Sequence, residues 1–232
     1  MTYTNKLQTN LKYLFTIIPI SLLVLFVFHS LYTPKQSSTQ ITVEQPASIN
    51  ITILNDTEKN ELLKSIITWD TEYSKELEDA ILYNLNLIPD AILNSWLNTE
   101  CSIVVCPNEK DVLRKDTISS SYPAAVNKMR TDGTTIIRSS IHILASLEHI
   151  NSSLIHEIGH YVYYMHFGIE NDYVMTLPYF DADNQRFCEE QKSYYYDQPK
   201  EYFAELFSHV IKNGVTDEYK DTYEIQKIIE DF

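Results

Sequence analysis

Glycine is scarce in this sequence, with 4 residues among 232. Collagen, which needs glycine at every third position, and flexible glycine-rich linkers are therefore excluded. We find no repeat with a period of roughly 20–50 residues, so a solenoid is also excluded. Hydrophobic residues make up 44% of the chain and charged residues 22%, which is typical of a folded protein. The length suits one soluble domain with an appendage.

Positive charge is also in short supply. Lysine and arginine total 18 against 32 aspartates and glutamates, which gives a formal net charge of −14. Such an acidic surface repels phosphate backbones, so we expect no nucleic-acid partner. The charge is consistent with solubility alone.

Cysteines number three, Cys101, Cys106 and Cys188. The first two lie in the extended run CSIVVC, where five residues span about 16 Å, too far for a disulfide between them. Either could pair with Cys188 outside the cell and leave one thiol, or all three are ordinary buried cysteines. None has the spacing of a zinc finger.

One long run near the N-terminus contains no acidic residue, lysine or arginine: Tyr13–Tyr32, YLFTIIPISLLVLFVFHSLY. A helix of this length crosses a hydrocarbon core of about 30 Å. The run exceeds a secretory core and no A-x-A site follows, which favours an uncleaved signal anchor. A cleaved signal peptide, giving a secreted protein, and a buried core helix are the alternatives. Lys6 and Lys12 precede the run and only Lys35 closely follows, so residues 1–12 should be cytoplasmic and the large domain outside.

The rest of the chain predicts a polar tether at residues 33–48 and one α+β domain at 49–232, mostly helical with a small sheet. Alternating isoleucines predict a short strand at 49–53, and further strands are predicted at Ser102–Cys106 and Thr134–Ile143. Residues 169–197 are expected to be irregular. Helices are predicted over residues 56–68, 72–87, 89–97, 152–166, 199–212 and 217–229.

Residues 156–160 read HEIGH, an H-E-x-x-H motif. His156 and His160 are one helical turn apart, so both imidazoles can reach one zinc ion. Glu157 lies about 100° further around the helix, beside the metal, where it can accept a proton from the attacking water as general base. Apolar flanking residues indicate a buried helix. The alternative is two structural histidines with an incidental glutamate.

A catalytic zinc needs a third protein ligand and one open position. His166 would complete the pattern H-E-x-x-H-x-x-G-x-x-H, but Tyr163 occupies its glycine position. If the helix continues, His166 points about 240° away from His160. Glu201 is the better candidate, because it and Glu205 share one face of a helix rich in aromatic residues. Glu201 would bind zinc, and Glu205 would accept a hydrogen bond from a zinc-binding histidine. The alternative is a solvated pair of glutamates.

Together, HEIGH at 156–160 and EYFAELF at 201–207 resemble the family of anthrax lethal factor catalytic domains and Pro-Pro endopeptidases. The resemblance covers roughly residues 85–232 and implies a zincin-like metallopeptidase fold with zinc as cofactor. It also implies that Glu201 is the third zinc ligand and that Glu205 lies behind the ligands.

The resemblance further implies a catalytic tyrosine seven residues before the ligand glutamate. That position is Tyr194, whose phenol would stabilise the developing oxyanion. Tyr195 and Tyr196 follow, so a small difference in loop length would shift the role to one of them. The stretch SYPAAVNKMR and residues 169–193 depart from the family pattern. These segments are expected to shape the substrate cleft, so Pro-Pro cleavage is not implied.

These features predict a zinc-dependent endopeptidase that acts on protein or peptide substrates outside the cytoplasm. The substrate is expected to add as a strand along a sheet edge formed by Thr134–Ile143. The alternative is a non-catalytic, metal-containing surface protein of the same fold that binds a partner.

Overall fold

The structure, a computed structural model, describes residues 49–113, 124–132, 135–168, 177–191 and 198–232. The strands are β1 (Ile67–Trp69), β2 (Glu100–Cys106), β3 (Ala125–Thr131) and β4 (Ile136–Leu144). The helices are α1 (Asp56–Ser65), α2 (Lys75–Leu87), α3 (Asp90–Leu97), α4 (Glu109–Val112), α5 (Leu147–Phe167), α6 (Phe180–Gln191), α7 (Pro199–Asn213) and α8 (Asp221–Glu230). These elements confirm a mixed α+β fold, mostly helical with a small sheet.

The order of strands in the sheet is β1-β2-β4-β3. β1, β2 and β4 are parallel, whereas β3 runs antiparallel to β4. β4 is therefore paired on both sides and cannot accept a substrate strand, so the prediction that residues 134–143 form the binding edge is wrong. The edge next to β4 is β3, which the sequence analysis did not recognise as a strand.

The core lies between one face of this sheet and the helices. Buried Ile103 and Val105 alternate with more exposed residues along β2, and Ile141 and Ile143 do the same along β4. Helix α5 packs on β3 and β4, and α2 and α7 pack on α5. This arrangement places α5, which carries HEIGH, between the sheet and α7.

The strand predicted at residues 49–53 is wrong, because the segment forms a 3₁₀ turn at Ile51–Ile53. The Asn50 side chain accepts hydrogen bonds from both the backbone N–H and the hydroxyl of Thr52. The Ile51 N–H donates to the side chain of Asn94 at 2.7 Å. Local asparagine contacts thus replace the ladder that a strand would need.

Other differences concern weak sequence patterns. α6 lies in the region expected to be irregular, since its sequence FDADNQRFCEEQ is too polar to show a clear apolar stripe. α5 begins about a turn earlier than predicted, because Ile150 continues the buried stripe. α8 begins at Asp221 rather than 217. The predicted helix 56–68 is too long at its end, because Ile67–Trp69 form strand β1. All three cysteines are thiols rather than disulfides.

Residues 1–48 lie outside the described residues. The cytoplasmic segment 1–12, the membrane helix 13–32 and the tether 33–48 therefore stay predictions. Across the described ranges, none of the helices is both long enough and apolar enough to cross a membrane.

Asp221 joins α6, α7 and α8 from a fully buried position. Its carboxylate accepts hydrogen bonds from the Tyr179 N–H at 2.9 Å and the Tyr202 hydroxyl at 3.3 Å. Its own N–H donates to Asp183 at 3.0 Å. Burial raises the pKa of Asp221 to about 6, an effect that the bond from Tyr179 opposes and the nearby Asp183 carboxylate adds to.

This pKa predicts a measurable pH dependence of stability. Because the folded-state pKa lies above the unfolded value of about 3.9, the folded protein binds the extra proton between pH 6 and 4. The free energy of unfolding should therefore gain an Asp221 contribution as pH falls from about 6 to about 4. Urea unfolding across this range should show the gain in the wild type and not in Asp221→Asn. Asp217→Asn, at an exposed carboxylate nearby, should keep it. Equal profiles for the wild type and Asp221→Asn would contradict the assignment.

Candidate active site

Helix α5 presents HEIGH to the protein interior. His156, Glu157 and His160 are each no more than 9% exposed, and their potential ligand atoms lie within 4.8 Å of one another. The two imidazole rings lie 4.9 Å apart and nearly perpendicular. The helix ends at Gly168, whose positive φ of 84° closes the last turn, as predicted.

Helix α7 brings Glu201 to the same point. One carboxylate oxygen of Glu201 lies 3.4 Å from Nε2 of His156 and 3.2 Å from Nε2 of His160. A tetrahedral zinc ion with ligand distances of about 2.0–2.1 Å holds its ligand atoms about 3.3 Å apart. The separations of Glu201 from the two histidines therefore match those between neighbouring ligands of a tetrahedral zinc ion.

Glu205, one turn after Glu201, contacts the other side of the His156 ring. Its carboxylate lies 3.1 Å from Nδ1 of His156 and is about one-third exposed, with 33% of the side chain accessible. A hydrogen bond from Nδ1–H to this carboxylate would leave Nε2, which faces Glu201 and His160, as the nitrogen that binds a metal once its own proton is displaced. Glu205 thus orients the His156 ring.

The electrostatics of the site favour a cation. Burial alone lowers the pKa of His156, but hydrogen bonds to Glu201 and Glu205 outweigh burial and raise the pKa to about 9. Burial raises the pKa of Glu157, and the neighbouring histidines oppose that rise. Two imidazoles beside three carboxylates form a nitrogen and oxygen donor set that suits a divalent ion such as zinc.

Gly159 allows α5 and α7 to approach closely enough to form this site. A Cβ atom at residue 159 would lie 2.9 Å from the Cα of Ala204 and 3.1 Å from its carbonyl oxygen. Both atoms are backbone, so a side chain here could be accommodated only by moving one helix. The glycine in HEIGH therefore has a packing role, independent of the metal chemistry.

We expect Gly159→Ala to lower the free energy of unfolding by about 1–3 kcal/mol, even though alanine favours helix. The displaced α7 should also carry Glu201 away from the histidines and weaken zinc binding. Urea unfolding and zinc titration measure the two effects. Ser152→Ala, at an exposed position of the same helix, should change neither. Unchanged stability and zinc affinity in Gly159→Ala would contradict the close-packing argument.

A cleft of about 210 Å³ opens beside the cluster, bounded by edge strand β3 on one side and by α5 and α7 on the other. The residues that line it are Ala125, Val126, Asn127, Met129, Glu157, His160, Tyr164, Lys200 and Glu201. Glu157 and two of the three candidate ligands thus face a space next to an exposed sheet edge.

A chain of hydrogen bonds attaches β3 to the HEIGH turn of α5. The Trp96 indole N–H donates to the Ser139 hydroxyl at 2.8 Å, which donates to the Asn127 side chain at 3.0 Å. The Asn127 amide then donates to the backbone carbonyl of Glu157 at 2.9 Å. Trp96 and Ser139 are fully buried, so Asn127 is held at both ends of its amide. The edge strand and Glu157 therefore have a fixed relative position.

We expect Asn127→Leu to cost about 1–3 kcal/mol of unfolding free energy, because the Ser139 hydroxyl loses its acceptor in a buried position. If peptide turnover depends on this alignment, kcat should fall as well, while zinc stoichiometry stays unchanged. Urea unfolding, steady-state kinetics and metal analysis separate these effects. Arg130→Leu, at an exposed position on the same strand, is the control. Equal kcat for wild type and Asn127→Leu would contradict the alignment role.

The other predicted site residues lie apart from this cluster or outside the described residues. His166 is on the exposed side of α5, where its ring contacts Phe167 at 4.6 Å. The uninterrupted helix places it away from His160, as the geometry predicted. Tyr194, Tyr195 and Tyr196 fall outside the described residues, so their role stays a prediction.

Two cleft residues, Tyr164 and Lys200, were not predicted. Tyr164 lies one turn after His160, so helical spacing alone could have identified it. Lys200 directly precedes Glu201 at the start of α7 and could have been noted with it. The stretch SYPAAVNKMR was expected to shape the cleft, and its residues Ala125, Val126, Asn127 and Met129 do line it, although strand β3 was not predicted.

Comparisons with known proteins add little beyond this geometry. Neither a protein-family model nor a curated protein matches the sequence. The solved structure of the Pro-Pro endopeptidase PPEP-2 from Paenibacillus alvei is similar at 17% identity. The match covers 74% of this chain and 100% of that chain with a TM-score of 0.45. A likeness this distant carries no argument about activity. The matched structure is not a lethal factor domain, so the resemblance to lethal factor stays a prediction.

Proposed function

We propose that this protein is a zinc-dependent endopeptidase. The observation that carries the proposal is the spacing of His156, His160 and Glu201, whose facing atoms lie 3.2 and 3.4 Å apart across the helices. Glu157 stands beside them, buried and facing the cleft. A site of two histidines and one glutamate with a neighbouring free glutamate is the arrangement of a hydrolytic zinc centre.

The substrate would bind as an added strand on β3. Within the described ranges, no strand pairs with the side of β3 that faces away from β4, so β3 is an edge strand of the described sheet. The main-chain groups of a peptide laid along this edge would be held by hydrogen bonds, and its scissile bond would pass through the cleft. Asn127 would keep that edge aligned with Glu157.

The catalytic roles follow from these positions. Zinc, when bound, supplies a Lewis acid that polarises the scissile carbonyl and acidifies a water molecule. Glu157 accepts the proton of the attacking water and delivers it to the leaving amine. Glu205 keeps the His156 ring oriented, and the buried position of Glu157 raises its pKa and makes it a stronger base.

We propose that one of the three consecutive tyrosines, Tyr194 to Tyr196, donates a hydrogen bond from its phenol hydroxyl to the developing oxyanion. Each tyrosine changed singly to phenylalanine gives the test. One variant should lose about 10²–10³-fold in kcat with little change in zinc affinity. Full activity in all three variants would remove the tyrosine from the mechanism.

We further propose that the domain works outside the cytoplasm and is anchored by residues 13–32. This proposal is supported only by the uncharged run of twenty residues and the lysines before it. Membrane fractionation and protease accessibility of intact cells test it. A soluble, uncleaved chain protected from external protease would contradict the placement.

The activity itself is tested by digesting a diverse peptide library with the zinc-loaded full chain and reading the products by mass spectrometry. We expect internal cuts that disappear with a chelator and return when zinc is restored. Peptides that bind without being cut would instead favour a binding protein of the same fold.

A further inference from the structure

Lys200 carries the single positive charge of a lysine or arginine among the described residues that line the cleft. It lies in the first turn of α7, is half-buried, and directly precedes Glu201 in the chain. Two carboxylates, those of Glu157 and Glu201, face the same space. The charge of Lys200 is therefore placed where a bound peptide would pass.

The described structure gives Lys200 no carboxylate partner of its own. Other lysines have one: Lys59 contacts Asp90 and Lys75 contacts Asp79, each at 2.7 Å. Glu201, next to Lys200, is directed instead at the two histidines, at 3.2 and 3.4 Å. Among the described residues, the ammonium group of Lys200 is thus available to a ligand.

Metal binding would change the net charge of the cleft in favour of an anionic ligand for this ammonium group. A bound divalent cation would offset the charge of the two carboxylates that line the cleft, and Lys200 would then give the described lining a net positive charge. The chain as a whole carries −14, so such a cleft would be a local exception. A half-buried charge is also screened less than one on the open surface.

We propose that Lys200 determines specificity by pairing with a substrate carboxylate next to the scissile bond. This inference rests on the proposed peptidase function and adds a substrate class to it. The carboxylate is either the side chain of an aspartate or glutamate, as in an endopeptidase substrate, or the free C-terminus of the substrate, in which case the peptidase would be a carboxypeptidase. Both present the same charge to the lysine, whose ammonium group acts as a compact point charge without demanding one geometry.

The test compares the full-length wild type with Lys200→Met, which keeps the length of the side chain, and Lys200→Glu, which reverses its charge. The substrates are peptides that differ only in glutamate, glutamine or lysine beside the cleavage site, with C-termini either amidated or free. We expect the wild type to cut the favoured acidic peptide about three- to tenfold faster in kcat/KM than its neutral counterpart. Lys200→Met should lose this preference, and Lys200→Glu should favour lysine.

Binding of the same peptides to zinc-loaded Glu157→Gln, with and without each Lys200 change, gives a second readout that needs no turnover. If amidated peptides with glutamate are preferred, the recognised carboxylate is a side chain. If only peptides with a free C-terminus are preferred, the recognised carboxylate is the C-terminus. The proposal is overturned if both Lys200 variants keep the preference for acidic peptides. It is also overturned if the wild type shows no such preference in either cleavage or binding. Cutting without charge preference leaves the peptidase function standing. Lysine-dependent binding without any cutting contradicts that function instead.

Discussion

Replacing Glu157 with glutamine is expected to lower kcat by about 10²–10⁴-fold, the contribution of a positioned general base. Glutamine preserves the size of the side chain but cannot accept the proton of the attacking water. The side chain is held beside the histidines at the cleft, and glutamine offers no other base at that position. The measurement is the rate of peptide cleavage by protein with verified zinc content.

Two controls make that result specific. Zinc stoichiometry and the urea midpoint of Glu157→Gln should match the wild type, because Glu157 is a neighbour of the ligand set rather than a member of it. Glu148→Gln, an exposed change in the first turn of the same helix, should leave kcat unaltered. A Glu157→Gln protein that retains zinc and cuts at the wild-type rate would remove Glu157 from the mechanism.

Loss of Glu201 should have the largest effect on the metal. Glu201→Ala removes the oxygen that lies within 3.4 Å of both imidazoles, and we expect it to abolish stoichiometric zinc binding. Glu205→Ala should weaken zinc binding by about 10–100-fold, since it only orients His156. Competition against a chelator of known affinity measures the zinc dissociation constants of the wild type and of both variants on one scale.

His166→Ala provides the matched control for that series. Its imidazole is exposed at the end of α5, so its loss should leave zinc affinity unchanged. Full zinc occupancy in Glu201→Ala would rule out the proposed ligand set. Loss of zinc in His166→Ala would favour a site of three histidines instead.

The residues that could be identified from sequence are those whose relative position is set within one helix. His156, Glu157 and His160 follow from helical spacing alone, and Glu201 and Glu205 from the same rule applied to α7. Their convergence on one metal was predicted, but the contact between Gly159 and Ala204 that brings the two helices together could not be derived. The glycine was visible in the sequence, but nothing nearby indicated its partner.

The sheet was harder to predict than the helices. β4 was predicted from the run TTIIRSSIHI after the Asp132-Gly133 turn, but its neighbours depend on pairings between distant segments. β3, AVNKMRT, mixes polar and apolar residues because most of its side chains are only half-buried at an edge. The edge was therefore assigned to the wrong strand, and the role of Asn127 was missed with it.

The most direct test of the central claim is an X-ray absorption spectrum at the zinc edge of the full chain loaded with one equivalent of zinc. If His156, His160 and Glu201 hold the metal, the spectrum should show only nitrogen and oxygen ligands at about 2.0–2.1 Å, with the scattering signature of two imidazoles. The Glu201→Ala variant should not show this pattern of zinc ligands. A sulfur ligand at about 2.3 Å, or a third imidazole, would contradict the account.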